Sequence, residues 1–149
     1  MRNLVLPEAG KGDENMEFKN IIYEVKDGIG SLTINRPRVL NALNLETLGE
    51  MECVVYDLKR KLGAKALVIT GAGDRSFVAG ADIGEFLRLD VVGAREFADL
   101  GHRVLLSLEE LIIPVITATA RDDTPEPKYR IDLVITGGKI TTGIVAVTV

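Results

Sequence analysis

The strongest constraint on the fold is a helical stripe that leads directly into a short, uninterrupted apolar run. Between residues 44 and 62 the apolar positions recur three or four apart, which predicts an amphipathic helix. Asn44 is a typical N-cap and Gly63 a typical helix end. Residues 66–70 (ALVIT) lack polar alternation, as expected of a strand covered on both faces. A helix feeding such a strand predicts an α/β arrangement.

The runs on either side extend this pattern. Residues 21–25 and 31–35 are β-rich and are separated by Asp27-Gly28, a dipeptide that favours a tight hairpin turn. Further helices are expected at about 82–89 and 94–110, with Pro114 stopping the second of them before a strand-like run at 115–119. Strands separated by helices in this order predict an α/β fold with a mostly parallel sheet.

Three segments are expected along the 149 residues. Residues 1–15 lack a signal-peptide core and suggest a flexible leader, and residues 16–120 form the α/β unit. A polar, proline-containing linker begins at residue 121 and precedes a β-rich tail, which suggests a hairpin of residues 129–136 and 140–149 around Gly137-Gly138. Composition leaves open whether this tail joins the same sheet or forms a separate unit.

Composition excludes several classes of function. The formal net charge of −4 provides no broad positive field for nucleic acid or anionic lipid. No apolar run approaches the roughly 18 residues of a membrane-spanning helix. The single cysteine, Cys53, excludes an internal disulfide and favours a reducing compartment, so cytoplasm is expected. His102 is the only histidine and is expected on a helix surface, and no metal site is predicted.

Residues 76–83 (SFVAGADI) form the segment that is best suited to ligand binding or catalysis. Small side chains precede an expected helix start, where backbone N–H groups without helical partners can donate to an anion or to a carbonyl gaining negative charge. The alternative is close packing, with Asp82 serving as an N-cap. Glu85, one helical turn later, is expected to be an exposed helix charge.

Two long motifs resemble the crotonase superfamily, the acyl-CoA-binding group that includes enoyl-CoA hydratases and isomerases. Residues 35–43 (NRPRVLNAL) resemble its Asn-Arg-Pro-Lys-Ala-Leu-Asn-Ala-Leu signature, and residues 68–83 are similar to its second signature. Residues 113–116 (IPVI) look like the entry to the strand before that family's glycine-rich loop. The resemblance covers roughly residues 16–118. It implies a crotonase-like fold of repeated ββα turns with an atypical β-hairpin at the C-terminus.

The first motif implies contacts with the nucleotide end of coenzyme A. In crotonase relatives the residue matching Arg38 faces the nucleotide phosphates, and those matching Val39 and Leu40 touch the adenine. Arginine here replaces the common lysine. Because arginine keeps the charge and can bond a phosphate at two points, this change is compatible with binding.

The second motif implies contacts with the rest of the ligand. The backbone N–H of the residue matching Ala81 donates to the thioester carbonyl as half of an oxyanion hole. Coenzyme A enters as part of the substrate, and no separate cofactor is implied. The residues expected along the adenine and pantetheine are Ala79, Gly80, Asp82 and Ile83.

The sequence departs from the family after Ile116. It reads TATARDD over residues 117–123, where relatives approach a glycine-rich loop that supplies the second oxyanion donor and precedes the catalytic glutamates. Gly137-Gly138 is the only later glycine pair, and it is a weak replacement. Hydration of a 2-enoyl-CoA needs acid-base groups and donors for the enolate oxygen. Efficient hydratase activity is therefore not expected from this chain alone.

Three functional hypotheses stay open from the sequence. The first is acyl-CoA binding of the enoyl-CoA hydratase/isomerase kind, with stabilisation of a thioester enolate if the chain is active. The second is a truncated or rearranged, catalytically inactive relative. The third is an interaction module, because an open sheet edge can pair with another chain, and homo-oligomer formation is left open.

Overall fold

The computed structural model describes residues 17–61, 63–120, 129–136 and 139–141. The expected leader at 1–15, the linker beginning at 121, the Gly137-Gly138 turn and the hairpin end at 142–149 lie outside these residues. The described elements confirm an α/β fold. They are β1 (Ile21–Lys26), β2 (Ile29–Ile34), a 3₁₀ turn (Pro37–Val39), α1 (Leu45–Arg60), β3 (Ala66–Gly71), α2 (Ile83–Phe86), α3 (Val91–Glu109), β4 (Val115–Ala120), β5 (Tyr129–Thr136) and β6 (Lys139–Thr141).

The strands form one six-stranded sheet in sequence order, β1-β2-β3-β4-β5-β6. The pairs β2–β3 and β3–β4 are parallel, and the other three pairs are antiparallel. The expectation of a mostly parallel sheet is therefore wrong outside the centre, because helices separate only the central strands. The strands expected in the tail join the same sheet as β5 and β6, whereas the division of the chain at residue 120 stays a prediction.

The first hairpin follows its sequence signal closely. Asp27 and Gly28 have φ values of 53° and 80°, which suit a tight turn with positive φ at both central positions. The turn pairs Lys26 with Ile29 directly. Strand β1 therefore ends one residue later than predicted, and β2 begins two residues earlier and ends one residue earlier than predicted.

The core lies between the sheet and a layer made by α1 and α3. Alternate residues of the central strands are buried against this layer, including Leu32, Leu67 and Ile69, while their strand neighbours are half-exposed or exposed. The helices contribute buried apolar residues at helical spacing, which accounts for the predicted stripes. These residues are Leu48, Met51, Val54, Val55 and Leu58 from α1, and Phe97, Leu100, Val104 and Leu108 from α3.

The start of α1 is confirmed and its end is corrected. The Asn44 side chain accepts a hydrogen bond from the Thr47 N–H at 2.9 Å, as expected of an N-cap. The helix ends at Arg60, and Lys61 is already extended. Gly63 is therefore not the cap, because the chain has left the helix before reaching it.

The other two helices differ from their predicted bounds. The helix expected at 82–89 is only the four-residue α2, followed by a turn at 87–88. Helix α3 starts at Val91, earlier than expected, because the Asp90 carboxylate caps it by accepting from the Gly93 N–H at 2.8 Å. It also ends at Glu109, well before Pro114, so proline does not stop it directly.

Candidate functional site

The two motifs form two loops that are joined by backbone hydrogen bonds; we call residues 35–43 loop A and residues 76–83 loop B. Leu43 and Ala81 form an isolated parallel bridge. The Leu43 N–H donates to the Gly80 carbonyl and the Asp82 N–H donates to the Leu43 carbonyl, both at 2.8 Å. Two segments separated along the chain therefore lie side by side.

The bridge leaves the Ala81 N–H facing away from Leu43. In this parallel pairing the bridging bonds come from the residues on either side of Ala81, so its own polar groups point to the opposite side. Within the described part of the chain, the Ala81 N–H has no hydrogen-bond acceptor, and the residue is exposed. It is a backbone donor open to an oxygen from outside the protein.

The two arginines of loop A have different environments. Arg36 Nη2 lies 2.9 Å from Asp82 Oδ2, and Arg36 Nη1 donates to the Ala42 carbonyl. The Arg36 side chain is only 17% exposed and joins loop A to loop B. Arg38 is exposed on the 3₁₀ turn, and none of the carboxylates in the described ranges lies within ion-pair distance of it. Arg38 is therefore the loop A arginine available to an anionic ligand.

Asp82 caps α2, as the alternative interpretation of this residue predicted. Its carboxylate accepts from the Glu85 N–H at 3.3 Å as well as from Arg36. The Arg36 guanidinium hydrogen bond holds the pKa of the Asp82 carboxyl below its ordinary value. Because both bonds are internal, Asp82 orders loop B, and its contact with a ligand stays a prediction. Ile83, the next residue, is 69% exposed.

Two apolar residues of loop A, Val39 and Leu40, are exposed, and Leu40 has an unusual backbone conformation. Leu40 has φ 54° and ψ 35°, a left-handed conformation that costs a side-chain-bearing residue about 1–2 kcal/mol. Its carbonyl accepts from the Ala79 N–H at 3.1 Å, which ties the strained residue to loop B. Val39 and Leu40 together present an apolar surface beside Arg38.

Gly80 supplies the opening next to Ala81. Its φ of 113° is one that residues with a side chain rarely adopt, and a Cβ built there would meet none of the described heavy atoms within 4 Å. Backbone conformation, and not crowding from the protein, therefore requires glycine here. The space in front of this part of loop B is free for a ligand.

Asn41 is not among the site residues that the sequence predicts, yet it holds the loops together. It is fully buried and left-handed, with φ 57°. Its Oδ1 accepts from the Arg36 N–H at 3.0 Å, and its Nδ2 donates to the carbonyls of Ala72 and Ser76 at 2.9 and 2.8 Å. The signal in the sequence was the second asparagine of the first motif, since asparagine tolerates left-handed backbone better than most residues.

Gly71, at the end of β3, makes room for this arrangement. A Cβ at Gly71 would lie 2.5 Å from both Asn41 Nδ2 and the Ser76 carbonyl oxygen, and closer still to the Phe77 carbonyl oxygen. Two of these obstacles are backbone atoms that cannot rotate away. The return of the chain over the end of β3 therefore requires glycine.

The small depression beside loop A is not large enough for a nucleotide. Its volume is about 40 Å³, compared with roughly 300 Å³ or more for typical small-molecule pockets. A nucleotide held at loop A would therefore extend beyond this depression. The depression is lined by Pro37, Leu40, Asn41, Ala72, Gly73, Asp74, Arg75 and Ser76.

The other candidate residues lie outside this arrangement. His102 is exposed on α3, as expected. Burial raises the pKa of the Cys53 thiol, and Cys53 is half-buried in α1, which fits packing more than nucleophilic chemistry. The expectation that Glu85 is an exposed charge is wrong: the residue is half-buried, and its Oε2 is buried without a hydrogen-bond partner among the described residues.

Neither a metal-binding cluster nor a membrane-spanning helix is found in the part of the chain that the structure describes. No cluster of three or more His, Cys, Asp or Glu residues there is arranged to hold a metal ion. Likewise, none of the helices in the described ranges is long and apolar enough to cross a membrane.

Comparison with curated proteins identifies two hydratases that are similar to most of this chain. Short-chain-enoyl-CoA hydratase of Clostridium acetobutylicum is 45% identical over 103 residues, which covers 69% of this chain and 40% of the relative. Crotonyl-CoA hydratase of Syntrophomonas wolfei is 44% identical over 103 residues, with the same coverage of each chain. The chain thus spans about 40% of the length of these relatives.

Solved structures show the same fold. An enoyl-CoA hydratase from Bacillus anthracis matches with a TM-score of 0.64 at 26% identity, over 66% of this chain and 39% of that chain. An enoyl-CoA hydratase/isomerase from Xanthobacter autotrophicus also gives a TM-score of 0.64, at 27% identity over 69% and 39% of the two chains. The expected crotonase-like fold is confirmed. The enoyl-CoA hydratase/isomerase family model matches residues 24–120, and the chain belongs to that family.

Proposed function

We propose that this chain binds an acyl-CoA thioester across loops A and B, with the thioester carbonyl against the Ala81 N–H. The observation that carries the proposal is the open Ala81 donor, which the Leu43 bridge holds in a fixed direction. Such a preformed donor stabilises an oxygen that gains negative charge without reorganising at the moment of reaction.

Loop A would hold the nucleotide end. Arg38 is exposed and free of internal ion pairs in the described structure, so it can form charge-assisted hydrogen bonds with phosphate oxygens. Val39 and Leu40 would contact the adenine with their exposed apolar surfaces. The strained conformation of Leu40 supports this role, because strain tends to persist where function requires it.

Loop B would hold the part of the ligand between the adenine and the thioester. Gly80 leaves open space beside the backbone of loop B, so that the pantetheine can approach that backbone closely. Ile83 offers exposed apolar area at the start of α2. Ala79 and Asp82 would line the same path, with Asp82 acting mainly through the order that it gives the loop.

The substrate class that we propose is a short 2-enoyl-CoA, in line with the names of the two hydratases that this chain matches at 44–45% identity. For the chemical step, loops A and B supply one oxyanion donor and no assigned acid or base. Loss of one such donor costs about 100- to 1000-fold in rate. We therefore expect acyl-CoA binding and enolate stabilisation from this chain alone, without efficient hydration.

A second candidate is a catalytically inactive family member that acts as a binding or interaction module. It is favoured by the departure of the sequence from the family pattern after Ile116 and by the end of the family match at residue 120. Both candidates keep the acyl-CoA site, and they differ in whether the bound thioester is stabilised as its enolate. A cytoplasmic location and homo-oligomer formation stay predictions for either.

Calorimetric titration with acetoacetyl-CoA tests the proposed function. The wild-type chain should bind saturably, and Arg38→Ala should weaken binding about tenfold or more, because a charge-assisted phosphate contact is lost. Arg95→Ala is the matched control, since Arg95 is an exposed arginine on α3, outside both loops. Absence of binding by the folded wild-type chain, or equal weakening by both substitutions, would overturn the proposal.

A further inference from the structure

The buried amide of Asn41 connects three backbone segments that meet beneath the site. It accepts from Arg36 at the start of loop A and donates to Ala72 after β3 and to Ser76 at the start of loop B. All three partners are backbone atoms, so the amide fixes the path of the chain and not the orientation of other side chains. The contacts with Ala72 and Ser76 are 31 and 35 residues distant in sequence.

We propose that Asn41 is the positioning residue of the thioester site, a role that rests on the proposed function of loops A and B. It sets the register between the loops and, through that register, the direction of the Ala81 N–H. Asn41 is two positions before Leu43, whose N–H and carbonyl hold Gly80 and Asp82 on either side of Ala81. A shift of Asn41 therefore moves the bridge that aims the donor.

The same residue also fixes the segment that carries Arg38. The Arg36 carbonyl accepts from the Val39 N–H at 3.1 Å and from the Asn41 N–H at 2.9 Å, while the Asn41 side chain accepts from the Arg36 N–H. The short turn with Arg38 is thus closed at both ends by Arg36 and Asn41. One side chain therefore links the phosphate end of the proposed site to its thioester end.

No other standard side chain supplies this combination at position 41. The position needs a left-handed backbone, one acceptor and two donors within a short reach, and it has no exposed surface through which bulk water could replace them. Aspartate tolerates the backbone but cannot donate when ionised, and glycine tolerates it but provides neither donor nor acceptor. These two substitutions separate the backbone requirement from the hydrogen-bonding requirement.

The experiment measures the enolate fraction of bound acetoacetyl-CoA by its ultraviolet absorbance, normalised to the ligand bound in a parallel calorimetric titration. The enolate forms when the α-carbon gives its proton to solvent and the negative charge moves to the oxygens, so its fraction reports on donors aimed at the carbonyl. The chains compared are wild type, Asn41→Gly and Asn41→Asp. Val54→Ala is the control, because it removes fully buried core volume in α1 at a residue that belongs to neither loop.

The wild-type chain should raise the enolate fraction above that of free ligand, and Val54→Ala should keep that value per bound ligand despite its lower melting temperature. In Asn41→Gly the fraction should return to the free-ligand value, and affinity should fall by about tenfold for the lost buried hydrogen bonds. If Asn41→Gly does not fold, Asn41→Asp gives the same readout. A folded Asn41 variant with the wild-type enolate fraction would overturn the inference alone, whereas a wild-type chain that does not bind would overturn the proposed function and the inference with it.

Discussion

Arg36 Nη2 lies 2.9 Å from Asp82 Oδ2, and this ion pair joins two residues 46 positions apart. Both side chains are largely shielded, at 17% and 16% exposure. The pair crosses from loop A to loop B beside the Leu43–Ala81 bridge. The site is therefore held by an electrostatic contact, by backbone hydrogen bonds and by the amide of Asn41, each of which can be changed separately.

The ion pair predicts a pH dependence of stability. Because Arg36 lowers the folded-state pKa of Asp82, the folded chain binds fewer protons at this carboxyl than the unfolded chain does. Its contribution is present above the unfolded pKa of about 3.9 and is lost as pH falls through the folded pKa. The difference in free energy of unfolding between wild type and Asp82→Asn should be constant from about pH 5 to 7 and shrink below about pH 4.

Denaturant unfolding at several pH values measures this difference, and the same comparison in an Arg36→Ala background provides the control. The pH-dependent part should shrink there, because the guanidinium that is the largest cause of the shift is gone while the backbone N–H donors of α2 remain. A difference that stays constant down to pH 3, or grows, would contradict the assigned direction.

The two arginines of loop A should separate stability from binding. Arg36→Ala should lower the free energy of unfolding by about 1–3 kcal/mol, since Asp82 and the Ala42 carbonyl lose their charged donor. Arg38→Ala should change it by less than about 0.5 kcal/mol, as is usual for an exposed residue. Urea unfolding of the two variants measures both values, and the reverse ranking would disprove the assignment.

Gly71 and Gly63 offer a matched pair of alanine substitutions. Gly71→Ala should destabilise the chain by about 3 kcal/mol or more, because its Cβ would collide with the Ser76 and Phe77 carbonyls. Gly63→Ala should be neutral or stabilise by up to about 1 kcal/mol, since no described heavy atom lies within 4 Å of its Cβ. Thermal unfolding of both variants is the check, and a well-folded Gly71→Ala would refute the close approach.

We expect Leu40→Asn to relieve backbone strain and to weaken ligand binding. Leu40→Asn places a residue more tolerant of left-handed backbone at φ 54°, which recovers part of the roughly 1–2 kcal/mol of strain. Its stability should equal or exceed that of Val39→Asn, a control at an exposed apolar neighbour with no such strain to relieve. Both should weaken acetoacetyl-CoA binding. Stability of Leu40→Asn below that of Val39→Asn would count against the strain argument.

Local features were predictable where one short-range interaction determines them. Asn44 caps α1 as its sequence position indicated, and Asp27-Gly28 forms the expected turn. The start of α3 was missed because the Asp90 cap, and not the apolar stripe, determines where the helix begins. The mixed sheet was missed because the order of helices and strands does not reveal the antiparallel pairing of β4 with β5.

The long-range contacts of the site could not be read from local pattern. The motifs located loops A and B, but they did not show that Leu43 bridges Ala81 or that Asn41 reaches Ala72. Nor does sequence alone decide which of two arginines, two positions apart, is internal. Burial and the distance between Arg36 and Asp82 decide it. The Arg36 side chain is bonded within the protein, whereas Arg38 is exposed.

The most direct test of the central claim is a ¹⁵N–¹H NMR titration that follows the Ala81 amide. With acetoacetyl-CoA the Ala81 proton should shift downfield as its N–H donates to the thioester oxygen, and with coenzyme A, which has no such carbonyl, it should shift much less. An Ala81 signal that does not move on saturation, or that moves equally with both ligands, would contradict the account.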